Sequence, residues 1–156
     1  MKPLLLFHFD TNLSSSLIEG RLLLINKDTD EIIEVYRAAS GCSNNQTYTH
    51  IGAKGRGPIP PQNECGIKQY QVMTTPIFMP NIKGVEGNFY KINPYSVQVN
   101  GVERGDFGVH ADKNVPGSAG CVVLTSDVGW AAFQVQMKKL AQSGVDQVPL
   151  LISYVR

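Results

Sequence analysis

Several features that would place a protein in a particular class are scarce or missing in this chain of 156 residues. Only 17% of the residues are charged, the net charge is +1, and no run of basic residues occurs, which argues against nucleic acid or an anionic membrane as a partner. No hydrophobic run is long enough to span a membrane. There is also no internal repeat, low-complexity segment or linker. With 42% hydrophobic residues, the composition predicts one globular domain over residues 1–156.

Cysteine and histidine are both scarce, with three residues of each. An odd number of cysteines leaves at least one thiol unpaired in a monomer. Cys42 and Cys65 lie in turn-rich segments and could form a disulfide in an oxidising compartment, whereas a reducing cytoplasm would leave all three thiols free. His8, His50 and His110 have no cysteine or carboxylate at metal-ligand spacing, so we expect neither a metal ion nor another cofactor.

The first residues, MKPLLLFHFD, match a signal peptide only in part. Their apolar run is interrupted by His8 and Asp10, and no small-residue cleavage site follows at the right distance. We interpret this segment as a β-strand and expect no N-terminal signal peptide. The protein would then be made in the cytoplasm, and a role outside it would require delivery or release.

Fifteen glycines and nine prolines indicate many turns, which favours a mainly β fold. Apolar runs bounded by turn residues predict strands over residues 4–9, 21–26, 31–39, 70–74, 89–92, 96–99, 107–110, 121–125 and 148–155, with a hairpin turn at 27–30 and a long functional loop at 40–68. One helix is predicted late in the chain. Ser126 is its expected N-cap, Trp130, Phe133 and Met137 follow at helical spacing, and Gly144 ends it.

The segment FGVHADKNVPGSAGCVVL, residues 107–124, carries the strongest chemical signal. His110 ends one apolar run, Cys121 begins the next, and the loop between them contains Pro116, Gly117, Ser118 and Gly120. An imidazole near a thiol is the usual means of keeping it as a reactive thiolate at neutral pH. Glycine beside the cysteine permits a sharp turn whose N–H groups converge on one point, as an oxyanion requires. The segment therefore predicts a site for acyl transfer.

These residues, in this order, resemble the L,D-transpeptidase catalytic domain (YkuD-like), a β-rich sandwich or barrel. Ser118-Ala119-Gly120-Cys121 matches the family's Ser-His-Gly-Cys signature, and residues 55–60 (GRGPIP) look like a loop of its short peptidoglycan-targeting subgroup, which includes type VI secretion effectors. Ala119 stands where the signature has a second histidine. The interval from histidine to cysteine is shorter than in members that crosslink the cell wall.

The resemblance implies cysteine-dependent acyl transfer on a peptidoglycan stem peptide, with removal or exchange of its terminal D-amino acid. Cys121 would be the nucleophile and His110 the base, oriented by the carbonyl of Ala111 with help from Asp112. Backbone N–H groups of Ala119, Gly120 and Cys121 would hold the oxyanion. Candidate substrate contacts are Ser118, Asp112, Lys113 and Arg56, although Ser118 could instead cap the turn and the two cations could be solvated loop charges.

The resemblance also implies action in the periplasm or cell wall, as an antibacterial effector with an immunity or delivery protein as partner, or as a phage lysis enzyme. Two alternatives stay open. A papain-like (NlpC or CHAP-type) endopeptidase or amidase would use Cys42 before His110 and needs a helix that starts at the cysteine. A non-catalytic cell-wall-binding domain would use none of these side chains chemically.

Overall fold

The computed structural model describes residues 1–13, 17–113 and 117–156. Within these residues it is mainly β, as the sequence predicts, with one α-helix late in the chain. The elements are β1 Pro3–Asp10, β2 Gly20–Asn26, β3 Glu31–Cys42, β4 Tyr70–Met73, β5 Ile77–Met79, β6 Gly87–Asn93, β7 Ser96–Val99, β8 Val102–Gly105, β9 Gly108–Ala111, β10 Gly117–Leu124, α1 Asp127–Gln142 and β11 Gln147–Val155.

Nine of these strands form one sheet in the order β4-β11-β1-β2-β3-β10-β9-β6-β5. Strand β4 pairs with both β11 and β6, so the sheet closes on itself and leaves β5 outside the ring. The pairs β1–β11 and β9–β10 are parallel, and the other pairs in this sheet are antiparallel. Strands β7 and β8 form a separate hairpin.

The interior of the closed sheet is filled because each strand presents alternate residues to it. Leu5, Phe7 and Phe9 of β1 are completely buried there. Helix α1 covers this core with Phe133, Met137 and Leu140, and the Phe133 ring packs edge-on against Tyr36 and Tyr90. Burial of such side chains stabilises the fold by about 1.5–3 kcal/mol each.

Most predicted elements are found with small shifts of their ends. Two strands, β5 and β8, were not predicted, since each has only three or four residues and neither shows a long apolar run. The predicted loop at 40–68 is partly ordered: its first residues extend β3 to Cys42, and short 3-10 turns lie at Tyr48–His50 and Gln62–Glu64. The predicted N-cap is confirmed, because the Ser126 side chain accepts a hydrogen bond from the N–H of Gly129 at 3.2 Å.

We expect Ser126→Ala to lower the free energy of unfolding by about 1 kcal/mol, because an N–H at the start of α1 loses its acceptor. Urea unfolding followed by circular dichroism measures this change. Thr29→Ala, an exposed position in the β2–β3 turn, is the control and should have little effect. Equal stability of the two variants would show that the cap does not hold the helix in place.

Candidate active site

His110 and Cys121 lie on neighbouring parallel strands, β9 and β10. The register pairs His110 with Val123 and Val109 with Val122, which places Cys121 level with Gly108. Val109 and Val122 belong to the buried core, so the adjacent residues His110 and Cys121 face the opposite side of the sheet. From strand spacing and rise, their Cα atoms are about 8 Å apart. Both side chains line one cavity of about 830 Å³.

The ring of His110 is held in one orientation. Its Nδ1 lies 2.7 Å from the carbonyl oxygen of Ala111, and the ring stacks on Phe89 with 5.9 Å between the centroids. A carbonyl oxygen can only accept, so Nδ1 carries the hydrogen and Nε2 is left as the basic nitrogen. Burial lowers the pKa of His110, and the bond to Ala111 offsets this only in part. The imidazole is therefore neutral at pH 7 and can accept a proton.

The surroundings of Cys121 favour the protonated thiol. Burial raises its pKa to about 11, and the backbone N–H of Gly108, which lowers it, does not compensate. The Sγ atom lies 3.7 Å from the carbonyl oxygen of Asp106, a suitable acceptor for the thiol proton. The sequence predicted a thiolate kept by the nearby imidazole. The two pKa shifts instead favour a neutral thiol beside a neutral imidazole, because burial disfavours the charged form of each group.

The turn before Cys121 depends on its two glycines. Gly117 and Gly120 have φ angles of 81° and 123°, in a region that L side chains rarely adopt. A Cβ atom on Gly120 would lie 2.6 Å from the guanidinium of Arg104 and 2.7 Å from the ring of Phe107. Pro116, which the sequence analysis placed in the same loop, lies outside the described residues. Glycine is thus required at position 120 by both backbone conformation and space.

Ser118 holds this turn together. Its hydroxyl donates to the carbonyl of Cys121 at 2.5 Å and accepts from the N–H groups of Gly41 and Gly120 at 3.2 and 3.3 Å. The side chain is buried, with 9% of its surface exposed. Of the two interpretations of Ser118, the structure favours the turn cap, because these three bonds use the hydroxyl fully.

The predicted oxyanion donors are not equivalent. The N–H of Gly120 already donates to the hydroxyl of Ser118, so it is less available to bind an oxyanion. The carbonyl of Gly120 accepts from Ser40 of β3, and across the same trans peptide the N–H of Cys121 must point away from β3. Ala119 is exposed and lines the cavity. The N–H groups of Ala119 and Cys121 are therefore the better candidates for an oxyanion.

Sequence reasoning missed Arg104, the largest fully buried side chain among the described residues, with 2% of its surface exposed. Its guanidinium donates to the carbonyls of Ile51, Gly57, Pro58 and Ala119 at 2.5–3.2 Å. These bonds tie residues 51–58 to the turn that carries Cys121. Arg104 lies on β8, opposite buried Val97 of β7. Because β8 was not predicted, the burial of Arg104 could not be inferred from the sequence.

The cavity is mostly apolar. Apolar residues of β5, of the segment after it, of β6 and of the segment before β9 form its wall. They are Ile77, Met79, Ile82, Val85, Phe89, Ile92 and Phe107. Three charged residues of the described chain also line it: Lys83, Lys91 and Asp106. Its size suits a short peptide or a comparable small molecule, since ligand cavities typically measure roughly 300–1,000 Å³.

Three of the predicted substrate contacts are not among the residues that line this cavity. Asp112 lies past the end of β9 and its carboxylate accepts from the N–H of Gly117 at 3.2 Å, so it supports the turn and does not orient His110. Lys113 lies 3.9 Å from Asp127 at the start of α1, and Arg56 is exposed. Both side chains therefore lie outside the cavity, and their assignment as substrate contacts gains no support from it.

Cys42 does line the cavity, but it ends strand β3 and its thiol donates to the carbonyl of Ser118 at 3.2 Å. No helix starts there, so the papain-like arrangement is wrong for this cysteine. Cys65 lies elsewhere, 3.1 Å from the carbonyl of Pro61. All three cysteines are free thiols, and Cys42 and Cys65 are not bonded to each other.

The remaining histidines are separate from the site: His8 contacts Ser153, and His50 contacts Thr47. The part of the chain that the structure describes contains no group of three His, Cys, Asp or Glu side chains arranged to hold a metal ion. No helix among those residues has the length and apolar character needed to cross a membrane. Comparisons with protein-family models, with curated proteins and with solved structures find no match.

We expect Arg104→Met to lower the free energy of unfolding by about 3 kcal/mol or more, because three buried carbonyls and that of Ala119 lose a charged donor at once. Arg104→Lys should recover part of this loss. Arg56→Met removes the same charge from an exposed position and should change stability by less than about 0.5 kcal/mol. Urea unfolding measures all three, and equal stability of the two methionine variants would contradict the assigned role of Arg104.

We expect the alkylation rate of Cys121 by iodoacetamide to keep rising with pH towards about 11, because the thiol must first lose its proton. Peptide mass spectrometry over a pH series measures the rate at this cysteine alone. In urea-unfolded protein the same peptide should show a midpoint near the ordinary thiol value of about 8.5. A plateau reached below about pH 7 in folded protein would instead indicate a thiolate–imidazolium pair.

Proposed function

We propose that this protein is a cysteine-dependent acyl-transfer enzyme that acts on peptidoglycan stem peptides and removes or exchanges the terminal D-amino acid. The observation that carries the proposal is the pair of His110 and Cys121 on one face of β9 and β10, lining a peptide-sized cavity. The fixed Nδ1–H bond to Ala111, which leaves Nε2 basic, adds support. The choice of peptidoglycan rests on the resemblance of residues 55–60 and 118–121 to L,D-transpeptidases.

The chemistry follows from two neutral partners. As the thiol approaches the substrate carbonyl, Nε2 of His110 accepts its proton and Sγ of Cys121 forms a bond to the carbonyl carbon. The oxyanion is held by the N–H groups of Cys121 and Ala119, each worth about 3 kcal/mol if placed well. The C–N bond then breaks, the imidazolium returns its proton to the leaving amine, and a thioester remains on Cys121.

The acceptor decides the product. Water attacking the thioester gives a carboxypeptidase, and an amine gives transpeptidation or exchange of the terminal residue. His110 serves again as base for either acceptor. Consistent with the resemblance, we place the reaction in the periplasm or cell wall, as that of an antibacterial effector with an immunity or delivery protein or that of a phage lysis enzyme.

We expect Cys121→Ala to abolish release of D-alanine from tetrapeptide muropeptides, and His110→Ala to reduce it by at least about 10³-fold. Mass spectrometry of muropeptides before and after incubation measures both, with added D-amino acids to detect exchange. Cys65→Ser removes a thiol outside the cavity and should retain activity.

Three results would contradict the proposal. Release of D-alanine that persists in Cys121→Ala would assign the reaction to another residue. Cleavage elsewhere in the stem that depends on Cys121 would indicate an endopeptidase or amidase. No product from wild-type protein, together with binding to sacculi, would indicate the non-catalytic wall-binding domain.

A further inference from the structure

Lys91 lies in line with the thiol across three adjacent strands. The β6–β9 register pairs Lys91 with Gly108, and the β9–β10 register places Cys121 level with the same glycine. All three positions face the cavity side of the sheet, and the side chains of Lys91 and Cys121 line it. With strands about 4.8 Å apart, the Cα atoms of Lys91 and Cys121 are separated by about 10 Å.

The surface between these two side chains is apolar. Gly108 has no side chain, and the ring of Phe89 occupies that space: a Cβ atom on Gly108 would lie 2.1 Å from it. A substrate that spans from the thiol to the ammonium would therefore lie on an aromatic floor. A charge interaction above such a floor is stronger than one in open water.

The ammonium of Lys91 has no acidic partner among the residues that the structure describes. It lies 5.1 Å from the centre of the Tyr95 ring, a contact that a bound anion can join. Asp106, the carboxylate of the cavity, is hydrogen-bonded by Tyr95, which raises the pKa of that tyrosine. Lys91 is thus a half-buried cation available for an anionic ligand.

We propose that Lys91 binds the terminal carboxylate of the residue that leaves, so that the enzyme selects acyl donors with a free carboxylate one residue beyond the attacked carbonyl. The inference rests on the proposed function and assigns its substrate selectivity. In an extended peptide the attacked carbonyl carbon and the next carboxyl carbon are about 3.7 Å apart. With a near-attack contact at Sγ and an ion-pair contact at Nζ, the path from Sγ through the substrate to Nζ is about 10 Å, comparable with the separation of the two Cα atoms.

The consequence is a preference for stem peptides whose terminal carboxylate is unmodified. A stem peptide that already carries a crosslink or an amide at its terminal residue would lose the contact with Lys91, whereas the unmodified tetrapeptide would keep it. Arg56 and Lys113, the cations that the sequence suggested for this task, are not among the residues that line the cavity.

The test compares two tetrapeptides that differ only in their last group, a free acid and a primary amide. Wild-type protein should show kcat/KM at least tenfold higher for the acid. Lys91→Met should lose this preference through a higher KM for the acid, with a much smaller change in KM for the amide. Lys91→Arg should keep most of it, and Lys68→Met, an exposed lysine outside the cavity, serves as the charge control.

Binding of both peptides to Cys121→Ala protein, measured by calorimetry, separates recognition from chemistry, and the same preference for the acid should appear there. An acid-to-amide ratio that Lys91→Met leaves unchanged would overturn the role of Lys91 while the proposed function stands. Equal losses on both peptides, through kcat, would show that the lysine is merely structural. Failure of wild-type protein to process or bind either peptide would overturn the proposed function and this inference together.

Discussion

The buried guanidinium of Arg104 is the constraint on which the candidate site depends. A charge removed from water must be compensated, and here four backbone carbonyls from two distant segments supply the compensation. Residues 51–58 are thereby fixed against the turn that leads into Cys121. Gly120 is required because the guanidinium approaches the backbone so closely that a side chain at that position would collide with it.

The same removal of water sets the chemistry of the site. Burial raises the pKa of the Cys121 thiol and lowers that of the His110 imidazole, so both shifts favour the neutral forms. In the mechanism that we propose, proton transfer therefore accompanies attack on the substrate. The fixed Nδ1–H bond to Ala111 serves this mechanism, since it leaves Nε2 as the acceptor without requiring a resting ion pair.

The fold class and most elements could be predicted from sequence because they depend on local patterns. The β2–β3 hairpin follows from two apolar runs around a turn, and α1 follows from a helical repeat with Ser126 at its start. Strand β8 could not be predicted, since four residues with one buried side chain carry no periodic signal. Because that strand was not predicted, the sequence did not indicate that Arg104 lies beside the candidate site.

The sequence by itself determined the mainly β architecture, the late helix and the pair of chemical groups, because apolar periodicity and the residues around Cys121 are local features. Only the tertiary structure decided which charged residues line the cavity and how burial shifts the pKa values of His110 and Cys121. Lys91 precedes Cys121 by thirty positions and lies level with it through strand pairing alone. Register between distant strands and burial are properties of the packed chain, so no local pattern encodes them.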